Sequence, residues 1–145
     1  MDTYCLGFCF DSEEKNVLLI EKKKPKWQSG RINGIGGKVE QNETMVHSMC
    51  REFCEETGLH VTNWKHHITL ISENGSWIVF IFKANVPIEY LRKFCEKTEE
   101  KPCICKTENL PENVIFNLRW IIPMLKDWLY KPITIVDRNE YKKEE

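Results

Sequence analysis

Three glutamates within five residues are the side chains of this sequence best suited to metal chemistry. The segment 51–56, REFCEE, carries Glu52, Glu55 and Glu56 at positions i, i+3 and i+4, and a helix would project all three from one face. Carboxylates this close repel one another, so their ionised forms need a compensating charge. A divalent cation supplies that charge, and hard cations such as Mg²⁺ prefer oxygen ligands. The spacing therefore predicts a Mg²⁺ site, with Mn²⁺ as a possible substitute.

A predicted amphipathic helix would hold these glutamates in place. Four apolar residues follow the i, i+3, i+4, i+7 spacing of a helix that packs on a core: Val46, Met49, Cys50 and Phe53. Gly58 follows at once, and glycine is the residue that most often ends a helix. We therefore expect a helix over Glu43 to Thr57, with an apolar inner face and an acidic outer face.

The rest of the chain predicts one α/β domain without internal repeats. The expected strands, of which the first two form a hairpin, cover 3–10, 16–21, 59–72, 76–86 and 101–106. A short helix is expected within 88–97 and a longer one over 112–130, where Pro123 would mark a kink or a late start. Segment 22–37, with four glycines, is expected to be a loop, because glycine permits sharp turns and close approach to a ligand.

Composition limits the function classes further. With 145 residues, 41% hydrophobic and 30% charged, the chain suits a single domain over 1–137, followed by a polar tail over 138–145. A net charge of −1 gives no reason to expect a nucleic-acid or membrane partner. The N-terminus does not have the pattern of a secretion signal, so we expect seven reduced cysteines in a cytoplasmic protein. Monomer and homodimer both stay open.

The segment 37–59, GKVEQNETMVHSMCREFCEETGL, resembles a known signature. It matches G-x5-E-x7-R-E-U-x-E-E-x-G-U, where U is a bulky apolar residue, at every fixed position: Gly37, Glu43, Arg51, Glu52, Phe53, Glu55, Glu56, Gly58 and Leu59. The chain therefore resembles the Nudix hydrolases. This resemblance implies an α/β/α sandwich around a mixed sheet. It also implies hydrolysis of a nucleoside diphosphate linked to another group, by water attack on phosphorus.

The resemblance also implies roles for the acidic residues. Glu52, Glu55 and Glu56 would bind Mg²⁺, with help from a backbone carbonyl near Gly36 or Gly37. Such a metal neutralises phosphate oxygens, lowers the pKa of bound water and fixes the line of attack.

Two further roles follow from the same resemblance. Glu43 and Arg51 would form an orienting pair, in which Arg51 braces the acidic cluster. The general base would be one of the cluster carboxylates or a glutamate from a distant loop, for which Glu99 or Glu100 is the candidate.

The segment 27–40, WQSGRINGIGGKVE, is similar to the MutT-type branch that hydrolyses oxidised purine nucleoside triphosphates. That similarity implies that Asn33 reads the purine edge, while Gly36, Gly37 and Lys38 help to place the phosphates. An asparagine between glycines is equally typical of a turn, so both interpretations of Asn33 remain.

Two tryptophans and a run of lysines also have two interpretations each. Trp27 and Trp120 could stack on a base, but tryptophan is mostly buried in cores. The lysines of segment 22–26 could steer polyphosphate toward the site, or they could belong to a solvated loop.

Markers of other branches help to choose a substrate. The proline and the tyrosine that follow the signature in enzymes for ADP-ribose and dinucleoside polyphosphates are missing from the corresponding segment, 74–77. A nucleoside triphosphate is then the favoured substrate, and its hydrolysis would give the monophosphate and pyrophosphate. The alternative substrates are ADP-ribose, a dinucleoside polyphosphate or an RNA 5′ end. The alternative to an enzyme is a nucleotide-binding module without catalysis.

Overall fold

The computed structural model describes residues 1–127 and 132–139, and within them eight strands form one mixed sheet. The strands are β1 (Asp2–Asp11), β2 (Asn16–Glu21), β3 (Ile32–Asn33), β4 (Ile35–Lys38), β5 (Lys65–Ser72), β6 (Trp77–Val86), β7 (Lys101–Lys106) and β8 (Ile133–Asp137). The helices are α1 (Met45–Thr57), α2 (Ile88–Leu91) and α3 (Leu118–Lys126), and a 3₁₀ turn covers Lys26–Gln28.

The sheet is mixed because its central strand has neighbours of both directions. The order is β3-β2-β1-β6-β5-β8, while β4 also pairs with β1 and β7 with β2. β1 runs parallel to β6 and β5 runs parallel to β8, whereas the pairs β1–β2, β1–β4 and β5–β6 are antiparallel. The predicted hairpin of β1 and β2 is confirmed.

Alternating side chains of β1 divide the core into two clusters, one on each face of the sheet. Phe8 and Phe10 are fully buried in the cluster that includes α3. Cys5 and Cys9 point the other way, into the cluster that includes Met49 of α1. Because successive residues of a strand face opposite sides, one strand supports both helices. The predicted α/β/α sandwich is confirmed.

Helix α1 forms as its sequence predicts, with both ends capped. The side chain of Thr44 accepts a hydrogen bond from the His47 N–H at 3.1 Å, which is the usual N-cap interaction. Gly58 adopts a left-handed conformation (φ 76°) and its N–H donates to the Cys54 carbonyl, as in a glycine-ended helix. Val46 is the exception to the predicted apolar face, since it is 44% exposed in the first turn.

The predicted loop over 22–37 contains two strands that its sequence does not suggest. Glycine has low strand propensity, yet β4 pairs with the first half of β1, where Gly36 lies opposite Leu6. A Cβ added to Gly36 would lie 1.9 Å from the Cys5 carbonyl oxygen. Glycine is therefore needed here for close approach of β4 to β1 rather than for a turn.

One predicted strand and one predicted helix differ clearly in extent from the observed elements. The strand expected from 59 begins at Lys65, although Leu59, Val61 and Trp64 are buried in the connection before it. The strands over 76–86 and 101–106 form as predicted, within one residue. The short helix within 88–97 is limited to one turn, α2.

The C-terminal part differs most from the prediction. α3 begins at Leu118, six residues after the expected start, and Pro123 lies inside it. The expected extension to 128–130 and most of the polar tail, 140–145, lie outside the described residues. β8 was not predicted, because its parallel partner β5 is remote in sequence. No helix within the described residues is long and apolar enough to cross a membrane.

Candidate active site

The acidic cluster consists of Glu52, Glu55 and Glu56, and Arg51 lies at the centre of one half of it. Its guanidinium donates two hydrogen bonds to Glu43, from Nε at 2.9 Å and from Nη2 at 2.6 Å, in the fork geometry that suits a carboxylate. Its Nη1 donates to Glu52 at 3.0 Å and to Glu55 at 3.3 Å. The hydrogen bond from Arg51 lowers the pKa of Glu43 to about 2. The structure thus places Arg51 in contact with Glu43 and with two of the three predicted metal ligands.

Glu52 lies directly against the glycine strand. A Cβ added to Gly37 would be 2.5 Å from Glu52 Oε1, so β4 backbone and α1 carboxylate meet with no side chain between them. Burial raises the pKa of Glu52, and the opposing effect of Arg51 does not fully offset it. This is the arrangement in which a backbone carbonyl near Gly37 could share a cation with Glu52.

Glu56 belongs to the other half of the cluster. Its Oε2 accepts a hydrogen bond from the Thr98 hydroxyl at 2.9 Å. Burial raises the pKa of Glu56, and the negative charges of Glu100 and Glu55 add to this effect, while Thr98 and Lys22 oppose it. Arg51 is not a hydrogen-bond partner of Glu56. The three glutamates therefore share one helix face but have different partners.

Glu100, the predicted distal base, is buried beside this half of the cluster. Its Oε1 accepts from Lys22 Nζ at 2.8 Å, and its Oε2 accepts from the backbone N–H groups of Lys23 at 2.8 Å and Lys24 at 3.4 Å. Burial raises the pKa of Glu100, but these hydrogen bonds outweigh it and the net shift is downward. Glu99, the alternative, is exposed. Glu100 thus anchors the lysine segment to the loop before β7, whose Thr98 contacts the acidic helix.

The chemistry of the donor set fits a hard divalent cation. Three carboxylates on one face, with a glycine backbone against one of them, are the oxygen ligands that Mg²⁺ takes. Across 1–127 and 132–139, however, no three metal-ligating side chains already converge on one point. Arg51 holds Glu52 and Glu55, whereas Thr98 holds Glu56. A cation would have to draw Glu52 and Glu55 away from Arg51 by side-chain rotation, whereas the hydrogen bond from Thr98 occupies only one oxygen of Glu56.

An open cavity lies on the opposite face of the sheet, beside α3. It measures ≈310 Å³. Its lining comes from β5, β8 and the start of α3: Leu70, Asn117, Trp120, Ile135, Val136, Asp137, Arg138 and Asn139. The indole N–H of Trp120 donates to Asn117 Oδ1 at 3.1 Å. One aromatic wall with adjacent amide and carboxylate groups is typical of a site for a flat, polar-edged ligand.

The predicted base-binding residues are only partly brought together. Trp27 and Trp120 both pack, partly buried, against the core on the α3 face, but only Trp120 lines the cavity. Asn33 donates to Gln28 Oε1 at 2.9 Å and accepts from the Gly34 N–H at 2.7 Å. These hydrogen bonds are local, but Asn33 is the second residue of β3 and pairs with Ile20, so the structure places it in a strand and not in a turn.

Backbone pairing nevertheless joins the Asn33 segment to the start of α3. The Ile32 N–H donates to the Asn113 carbonyl at 3.0 Å, and the Ile115 N–H donates to the Ile32 carbonyl at 2.8 Å. Asn33 and the cavity residue Asn117 therefore come just after two backbone segments that are hydrogen-bonded to each other. Lys38, which was predicted to help place the phosphates, forms an exposed ion pair with Asp2 at 3.2 Å.

Thr98, Asn117 and Asp137 are site residues that the sequence did not reveal. Each is a single polar residue with no spacing relation to the signature, so no pattern marks it. Only the fold brings Thr98 to the acidic helix and the other two to the cavity.

The sandwich and the acidic helix together define a Nudix hydrolase, and the chain belongs to that family. The model of the NUDIX domain matches residues 5–123. The structure is similar to that of the MutT Nudix hydrolase from Burkholderia pseudomallei, with a TM-score of 0.70 at 19% identity, covering 84% of this chain and 95% of that chain.

Sequence relatives agree with this assignment. An uncharacterised Nudix hydrolase of Bacillus subtilis is 32% identical over 84 residues, which is 53% of this chain and 51% of that protein. The chain thus spans about half the length of this relative. The oxidized purine nucleoside triphosphate hydrolase of Danio rerio is 30% identical over 116 residues, which is 75% of this chain and 72% of that protein.

Proposed function

We propose that the chain hydrolyses a nucleoside triphosphate to the monophosphate and pyrophosphate, with Mg²⁺ as cofactor. Oxidised or otherwise modified purine deoxynucleoside triphosphates are the first candidates. The observation that carries the proposal is the set of Glu52, Glu55 and Glu56 on one face of α1, next to the Gly37 backbone. Similarity to the Danio rerio hydrolase of oxidised purine nucleotides supports the substrate class.

The acidic helix supplies the reaction chemistry in this proposal. Mg²⁺ held by the three glutamates would neutralise phosphate charge and lower the pKa of the attacking water. Arg51 orients Glu52 and Glu55 through its hydrogen bonds and does not itself react. Phosphoryl transfer asks a protein mainly for such positioning and electrostatics.

A carboxylate must also accept the proton of the attacking water. A general base works best when its pKa approaches the working pH. Both oxygens of Glu100 already accept hydrogen bonds, from Lys22 Nζ and from the Lys23 N–H. We therefore favour a cluster carboxylate as the base, and Glu100 as an anchor for the loop that carries Lys22.

The cavity beside α3 supplies base recognition in this proposal. The Trp120 indole offers a flat face for stacking, and stacking on an aromatic residue contributes about 1–3 kcal/mol per base. Asn33 and Asn117 follow paired backbone segments and carry amides that can both donate and accept. The Asn117 amide, which lines the cavity, would then read the edge of the base while Trp120 covers its face. Asn33 would take part once its amide is released from Gln28.

A substrate panel tests the proposal directly. The protein is incubated with Mg²⁺ and, separately, with normal and oxidised purine triphosphates, pyrimidine triphosphates, ADP-ribose and dinucleoside polyphosphates, and products are identified by chromatography. We expect nucleoside monophosphate and pyrophosphate from at least one purine triphosphate. Turnover of ADP-ribose alone would overturn the triphosphatase assignment, and binding without turnover of any compound would favour a nucleotide-binding module.

A salt titration separates a small nucleotide from an RNA 5′ end. A protein that contacts many phosphates of a nucleic acid loses a factor of about 10³–10⁵ in affinity between 50 and 200 mM salt. The net charge of −1 gives no polymer-binding surface, so we expect KM to change only a few-fold over that range. A steep salt dependence with a capped RNA substrate would support the alternative.

A further inference from the structure

Thr98 lies outside the family signature, yet it contacts the acidic helix. Its hydroxyl donates to Glu56 Oε2 at 2.9 Å and accepts the backbone N–H of Glu100 at 3.1 Å. A hydroxyl has one proton to donate. Because the N–H of Glu100 occupies a lone pair, the proton of Thr98 is directed at Glu56.

The segment that carries Thr98 is fixed at both ends. On one side, the Cys95 N–H donates to the Thr57 carbonyl at 2.9 Å, at the last turn of α1. On the other side, the buried carboxylate of Glu100 binds Lys22 Nζ and the Lys23 N–H. Thr98 is exposed, but the anchors lie three residues before it and two residues after it, so they restrict the backbone that carries its hydroxyl.

The two halves of the acidic cluster are held by donors of different charge. Glu52 and Glu55 share the positive charge of Arg51, whereas Glu56 receives a hydrogen bond from the neutral hydroxyl of Thr98. A cationic donor neutralises a carboxylate and so competes with a metal ion. A neutral donor fixes the carboxylate but leaves its charge available, which is the role of the hydrogen bonds that orient metal ligands.

We propose that Thr98 is a positioning residue, which holds one oxygen of Glu56 so that the other faces the cation. The inference rests on the proposed function, because it takes Glu56 as a metal ligand. It adds a residue from a remote loop to the determinants of metal affinity. Thr98 itself contacts neither metal nor substrate.

The test compares Mn²⁺ affinity, measured from the free-ion EPR signal without nucleotide, in four proteins: wild type, Thr98→Val, Thr98→Ser and Thr134→Val. Removing a partner that orients a metal ligand typically costs 10–100-fold in affinity, so we expect Thr98→Val to weaken binding by about ten-fold or more. Thr98→Ser keeps the hydroxyl and should stay within about two-fold of wild type. Thr134→Val makes the same change at an exposed residue of β8 and should match wild type.

Thermal unfolding in EDTA is measured for the same proteins, and we expect equal Tm values for Thr98→Val and Thr98→Ser. Equal Mn²⁺ affinity of wild type and Thr98→Val would overturn the inference, as would a Thr98→Ser variant as weak as Thr98→Val. Absence of Mn²⁺ binding to wild type would also overturn it. Because no nucleotide is present, a failed substrate panel would reject the proposed function and leave this result standing.

Discussion

The two faces of the sheet are built in different ways. On the α1 face, the residues proposed for catalysis come from one stretch of 23 residues, 37–59, and Arg51 binds three of its glutamates. On the α3 face, the cavity takes its lining from β5, β8 and the start of α3. The reactive face is therefore local in sequence, whereas the face proposed for recognition is assembled from distant segments.

Under the proposed function, this difference separates the residues for the reaction from the residues for substrate choice. The spacing of the signature residues does not depend on the rest of the chain, so we assign the reaction class to this segment. The cavity depends on how three remote elements pack, so small sequence changes can alter its shape without touching α1. We expect variants of the two faces to affect different kinetic constants.

The largest effect is expected for Glu56→Gln on the α1 face. Losing a carboxylate that holds the cation removes several kcal/mol of transition-state stabilisation, which corresponds to a fall of about 10²–10³ in kcat. Glu56 is only partly buried and a glutamine can still accept the hydrogen bond from Thr98, so Tm should stay near wild type. Steady-state kinetics and thermal unfolding check both expectations, with exposed Glu112→Gln as control. Full activity of Glu56→Gln would refute the metal assignment.

A smaller effect on the same face is expected for Gly37→Ala. The new Cβ would meet only the end of the Glu52 side chain, at 2.5 Å, so Glu52 must move while the sheet remains. We expect Mn²⁺ affinity to fall about 10–100-fold with little change in Tm. In Gly36→Ala the Cβ meets the Cys5 backbone at 1.9 Å, and this variant should lose thermal stability instead. Similar Tm losses in both variants would contradict the distinction.

On the α3 face, Trp120→Ala should act on KM rather than on kcat. Loss of base stacking costs about 1–3 kcal/mol, so we expect KM to rise about ten-fold with kcat nearly unchanged at saturating substrate. Trp120→Phe keeps an aromatic face and should show a smaller rise. Kinetics with several triphosphates provide the measurement. A fall in kcat at constant KM would show that the two faces do not divide the work in this way.

The smallest effect is expected from Glu43→Gln, through stability and its pH dependence. The pKa of Glu43 is lowered to about 2 in the folded chain, from an ordinary value of 4.5. Its ionised form therefore stabilises the fold fully above pH 4.5, and this contribution is lost as pH falls towards 2. We expect Glu43→Gln to lower Tm slightly at pH 7, because the charged hydrogen bond with Arg51 is lost. The difference from wild type should shrink below pH 4.5, as scanning calorimetry would show, whereas a difference independent of pH would contradict the assignment.

The sequence predicted the local features of the fold and missed those that depend on distant partners. Helix α1 could be predicted because its apolar spacing and Gly58 are both local signals. β4 could not, because pairing with β1 overrides the weak strand propensity of its glycines. The same reason applies to the site: the glutamates follow from spacing, but Thr98 and the cavity residues are brought there only by folding.

The pairing of β1 also determines when the active site can be completed during synthesis. All ten residues of β1 pair with β6, from Asp2 opposite Trp77 to Asp11 opposite Val86, so each waits for a partner 75 positions later. Such long-range parallel pairing forms slowly. A nascent chain that has just emerged through Leu59 therefore contains the whole signature, β4 and its partner β1, but not β6, the strand that pairs with β1 along its whole length. In this protein the signature is translated early, but the sheet on which it packs is completed late.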